Sequence, residues 1–196
     1  MNTGDTAFMI ISAALVFFMT PGLAFFYGGL VRRKNVCNTM MACVAIMGIS
    51  VVMWALFGYS LSFGGNHGGI IGDFRWLGLN GVGMEAGPYA DNIPHLVFCA
   101  FQMMFAMITP ALITGSLVGR MRFKALFLFV ALWSIIVYYP LAHMVWGEGG
   151  FLAAIGSVDF AGGDVVHISS GISAVVLAVI LGRRRGYEHT TYRIHN

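Results

Sequence analysis

Asp159–Arg185 reads DFAGGDVVHISSGISAVVLAVILGRRR. Most of it is apolar enough to cross a bilayer, and three arginines close it. Yet it carries Asp159 and Asp164 at its start and His167 inside. An ionisable side chain at membrane depth is costly, and it normally faces a bundle interior or a pathway rather than lipid. Roughly 16 residues separate His167 from Arg183, about 24 Å of helix at ~1.5 Å per residue. His167 therefore lies inside the hydrocarbon layer, towards its outer half, and is a candidate pathway residue. Asp159 precedes the span and can cap its N-terminus, where the helix dipole is positive. Asp164 is three residues before His167, and the helical period points both nearly the same way. Ser169, Ser170, Gly171, Ser173 and Ala174 are small and suit close helix packing.

The rest of the chain is built on the same scale. Of 196 residues, 58% are hydrophobic and 10% charged, with mean hydropathy +0.80. Soluble domains carry about 25% charged residues, so this composition belongs to an integral membrane protein. A span needs about 20 mostly apolar residues, and five stretches qualify, at about 6–31, 36–63, 94–119, 125–146 and 161–182. Met1–Asp5 lacks a basic region, so the first stretch reads as a true span rather than a cleaved leader. Eleven Lys and Arg residues are present. Only Arg75 falls outside three clusters, at 32–34, at 120–124 and after 182. Those clusters alternate onto one side, which the positive-inside rule makes the cytoplasm. The expected topology is N-terminus outside and C-terminus inside, and the clusters give no support for nucleic-acid binding.

Inside the spans, Pro21 and Pro110 each remove a helix hydrogen bond and predict kinks. Phe101 and Phe105 share a helix face. Gln102 needs a polar partner at lipid depth. Trp146 sits at the outer end of the fourth span, an interfacial position. His143 nearby reads as an interface residue, and His67, His95, His189 and His195 as solvated. Cys37, Cys43 and Cys99 lack metal-site spacing and read as small buried hydrophobes. The methionines are mostly apolar filler. No nucleophile, metal-ligand cluster or phosphate loop accompanies Asp164 and His167, which ranks a membrane enzyme low and implies no cofactor.

Four runs together resemble one family. PGLAFFYGGLVRRKNVCNTMM is similar to the first span and first inner loop of ammonium transporters (Amt/Mep/Rh). FQMMFAMITPALITG is similar to their third span, PLAHMVWG to the end of their fourth, and DFAGGDVVHISSGISA to their signature at the fifth. The resemblance implies an all-α polytopic membrane protein, with five helices forming one half of an inverted-repeat fold. It implies that residues 1–196 are the N-terminal half of a longer or split protein, with the second half absent. By position, it implies ammonium capture at Phe105 and Trp146, with Asp159 supporting that site. His167 would be one of two pore histidines, and Phe105 one ring of a phenylalanine gate, with Phe101 alongside. Gln102 matches a pore-adjacent polar position. Asp164 stands where many members have a hydroxyl residue, and the 147–160 loop is longer by one residue than in some relatives.

The implied activity is capture of ammonium, or methylammonium as its analogue, loss of a proton, and passage of ammonia through a hydrophobic pore in the cell membrane. A bare cation in hydrocarbon pays a large desolvation cost that ammonia avoids. The resemblance further implies a homotrimer and a P-II type signalling partner for the whole protein. Two other readings stand beside transport. One is an ammonium sensor coupled to a signalling module, and the other is a half that packs without conducting.

Overall fold

The computed structural model describes residues 1–184, 187 and 193–195. Among them are five helices long and apolar enough to cross a membrane: Thr3–Gly29, Arg33–Phe63, His95–Leu117, Phe123–Ala154 and Gly163–Leu181. The chain is a multi-pass membrane protein. Each expected span is present, with ends shifted by a few residues. The largest shift is in the fourth, where a Gly147–Gly150 break is followed by a short helix, Phe151–Ala154. The first and third spans run through Pro21 and Pro110 as continuous helices. The expected closure at Arg185, and His189, lie outside the described residues.

The first, second and third spans pack on one another, and the fifth packs on the third. Where the end of the second span meets the fourth, large aromatic side chains are fully buried. Trp54, Tyr59, Phe63, Tyr138 and Tyr139 are each at most 2% exposed there. Glycine makes this approach possible, since a Cβ at Gly58 would lie 2.6 Å from the Tyr139 ring. Likewise a Cβ at Gly115 of the third span would lie 2.6 Å from the Tyr27 ring of the first. Tyr27 hydroxyl donates to the Leu112 carbonyl across that contact, at 3.0 Å. Three of the spans contain a π-helical turn, at Trp54–Gly58, Ser134–Tyr138 and Gly163–Ile168.

Between the second and third spans, the glycine-rich stretch forms two small antiparallel hairpins, Asn66–His67 with Ile71–Gly72 and Ala86–Gly87 with Ala90–Pro94. Asp73 accepts from the Gly65 and Arg75 amides and pairs with the Arg75 guanidinium at 3.0 Å. Three expectations are corrected, two of them beside this layer. His95 is buried rather than solvated, because its Nε2 meets the Tyr59 hydroxyl and its ring lies edge-on to Trp76. His143 is fully buried rather than interfacial, held by Ser62 and Asn66. Cys37 is exposed, at the start of the second span, whereas Cys43 and Cys99 are buried as expected.

Candidate functional site

The sequence DFAGGDV folds into a tight turn that caps the fifth span. Gly162 sits at φ +93°, a conformation open to glycine at little cost. The turn points four backbone N–H groups at one carboxylate. Asp159 Oδ1 accepts from Gly162 and from Gly163 (2.9 Å), and Oδ2 from Asp164 (2.8 Å) and Val165 (2.9 Å). Burial opposes ionisation of this carboxyl. The four amide donors together outweigh burial and hold its pKa below the ordinary carboxylate value. Asp159 also offers its backbone carbonyl to the Trp146 indole N–H, at 3.0 Å. The expected cap is therefore present, and the same residue fixes the Trp146 ring.

Trp146 in turn faces the third span. Its ring centroid is 6.1 Å from that of Phe105, at an interplanar angle of 61°. Phe101 lies behind Phe105, edge-on at 5.1 Å. Thr109 hydroxyl donates to the Phe105 carbonyl at 2.6 Å, which ties the ring-bearing turn to the next. Two half-buried aromatic rings on neighbouring helices form a surface that attracts a cation by its quadrupoles, more strongly where water is scarce.

Past Phe105 lies a groove of about 340 Å³ between the first, third and fifth spans. Its walls are Met19, Gly22, Leu23 and Phe26, then Phe105, Ile108 and Leu112, then Ala161, Val166 and His167. The imidazole is exposed on this apolar surface. So Phe105 belongs both to the aromatic pair and to the groove, and His167 and Phe105 line the same cavity.

The remaining candidates separate. Asp164 takes the Ser157 hydroxyl on Oδ2 at 2.8 Å and is not part of the groove. The expected shared face with His167 fails because this first turn is π-helical, which changes the angular step between residues 164 and 167. Gln102 is half-buried, and among the described residues its carbonyl oxygen has no hydrogen-bond partner. Among those residues no group of three His, Cys, Asp or Glu side chains is placed to hold a metal ion.

The first-span wall was missed in the sequence. Met19, Gly22, Leu23 and Phe26 follow the i, i+3, i+4, i+7 spacing of one helix face, as Phe105, Ile108 and Leu112 follow i, i+3, i+7. That spacing was legible. In a span apolar on every side, it does not separate a groove face from a lipid face.

A family profile described as Ammonium Transporter Family matches residues 7–196. The chain belongs to the ammonium transporter family. It is 52% identical over 196 residues to an ammonium transporter of Bacillus subtilis, covering all of this chain and 48% of the relative. The crystal structure of Candida albicans Mep2 superposes with a TM-score of 0.81 at 30% identity, covering 97% of this chain and 43% of that one. A structure titled Sensor Amt Protein superposes with a TM-score of 0.83 at 27% identity, covering 96% and 47%. The chain thus spans about half the length of the curated relatives it matches.

Proposed function

We propose that this chain supplies one wall of an ammonium transport pathway. The observation that carries the reading is Phe105, shared between the Trp146 aromatic pair and the apolar groove that also holds His167. Ammonium is captured against the two rings by cation–π attraction. It leaves its proton with water at the mouth of the aromatic site, because the groove beyond offers little to replace its hydration shell. Ammonia then moves along the groove past His167, whose ring can donate on one nitrogen and accept on the other. Asp159 holds the Trp146 ring and the start of the fifth span without touching the ion.

A second set of helices closes the groove in the working protein, contributing the second pore histidine and the second gate ring. Such a pathway between two inverted halves is a known architecture of secondary transporters. The reading places the acidic loops outside and the arginine clusters inside, in the cell membrane. The family resemblance extends it to a homotrimer with a P-II type protein at the inner loops.

The test is uptake of labelled methylammonium into liposomes. This chain alone gives no flux, the chain with a C-terminal half gives flux, and His167→Ala in that pair alters it. Flux from the chain alone would sink the two-wall reading. The structural similarity to a protein titled as a sensor favours one alternative, in which binding rather than flux is the output. A folded pair that binds methylammonium and carries none would put that alternative first.

A further inference from the structure

Trp146 is held from two sides. Asp159 takes its indole N–H on one side. On the other, Trp146 runs directly into the Gly147–Gly150 turn, which is bonded throughout to the first outer loop. Phe151 amide donates to Gly69 carbonyl at 2.8 Å, and Glu148 amide to the Tyr89 hydroxyl at 3.1 Å. Asn66 Nδ2 donates to the Gly149 carbonyl at 2.9 Å. Asn66 is the hub, since its Oδ1 also accepts the Gly69 amide at 2.6 Å and faces His143 Nε2 at 3.2 Å.

These contacts fix which atom does what. Toward Asn66, Gly149 turns its carbonyl oxygen and Gly69 its N–H. The Asn66 amide therefore has one possible orientation, with its oxygen toward His143. The other ring nitrogen, Nδ1, lies 3.1 Å from the Ser62 carbonyl oxygen. Both nitrogens of this fully buried ring thus face acceptors. A neutral imidazole has one N–H and satisfies one of them, whereas an imidazolium has two and satisfies both.

We propose that His143 and Asn66 are a positioning pair for Trp146, and that the pair closes when His143 carries a second proton. Proton uptake from the outer side then completes the Ser62–His143–Asn66–Gly149 chain and tightens the turn beside the indole. The charged and titratable groups around the ring come from several elements. His67 follows Asn66 on the same hairpin, and Asp73 is already paired with Arg75. Glu148 lies in the turn itself, and Tyr89 holds its amide. The consequence for flux rests on the transport reading. The effect on the indole does not.

The experiment labels the whole protein with 5-fluorotryptophan and follows the ¹⁹F resonances of Trp146 and Trp133, assigned by Trp146→Phe and Trp133→Phe. Asn66 is exposed, so Asn66→Ala tests the pair without opening the core. His143→Gln tests the proton with a side chain that cannot take one. The Trp146 resonance of the unaltered protein shifts with a single titration as the pH is lowered. The shift is absent in both variants, and Trp133 is unmoved throughout. In liposomes, Asn66→Ala raises the KM for methylammonium about three- to tenfold with kcat little changed, the pattern of a lost binding contribution. A Trp146 resonance that overlays in all three proteins at every pH overturns the proposal, as does one that does not titrate in the unaltered protein. A displaced resonance with an unmoved KM supports the positioning and counts against Trp146 as the capture residue.

Discussion

Between the second and fourth spans, Trp54, Tyr59, Phe63, Tyr138 and Tyr139 fill the space so fully that Gly58 has no room for a methyl group. Between the first, third and fifth spans, Phe26, Phe105 and His167 stand around an open groove, and a Cβ added at Gly22 would meet nothing within 4 Å. Both interfaces use aromatic rings and glycine. In the seam, glycine admits a ring against backbone. In the groove, glycine leaves volume unfilled. The difference is between a filled face and an open face of one bundle, and the Asp159–Trp146 contact is one of the places where they meet.

Substitutions at that joint, then in the seam, then in the groove, sharpen or break this division. Asp159→Ala strands four backbone donors while keeping the carbonyl that takes the Trp146 indole N–H, a loss of about 3 kcal/mol when charge-assisted bonds at a helix start are removed. Thermal unfolding in detergent reads it, and a melt unchanged from the unaltered chain would detach the joint from stability. In the seam, Gly58→Ala forces a methyl into the Tyr139 ring, and between the first and third spans Gly115→Ala forces one into the Tyr27 ring; each costs about 1–3 kcal/mol. A smaller loss would mean that the seam yields.

Acid probes the joint more gently. Asp159 is held below its ordinary pKa, so its stabilisation is complete above about pH 3.9 and is lost as pH falls through the lower folded value. Asp73 titrates the same way, because its amide and guanidinium donors outweigh its desolvation. The difference between the unaltered chain and Asp159→Asn isolates the capping carboxylate: melting points of the two converge as pH drops below 4, and parallel curves would count against the cap. The smallest effects belong to the groove. His167→Ala changes stability by less than about 0.5 kcal/mol, as for exposed positions elsewhere. Gly22→Ala adds about 0.5–1 kcal/mol through helix propensity while it narrows the groove. A marked loss from either would show that the groove face is packed after all.

The fold was largely legible because a bilayer imposes a length and a polarity on each span. The cap at Asp159 was legible for a similar reason, since a carboxylate before an apolar helix has one obvious use. His167 and Trp146 stood out as polar or amphipathic groups in an apolar field. His95 and His143 did not, because their partners Tyr59 and Ser62 come from the end of the second span, 36 and 81 residues away in the chain, and no period connects them. Asp164 was misplaced by an assumed 3.6-residue step across a turn that does not keep it. The first-span wall was invisible for the opposite reason, being one apolar face among several.

That irregular step recurs in the second and fourth spans and has a consequence for register. A π turn is an α-helix with one residue too many, and each residue of an α-helix is worth about 100° of rotation. The inner and outer halves of these spans are therefore clocked against each other. Removing a single residue from Ser134–Tyr138 would leave a helix of ordinary appearance and much the same apolar character. Its outer end, with Tyr139, His143 and Trp146, would then turn by about 100° relative to its inner end, taking the indole away from both Asp159 and Phe105.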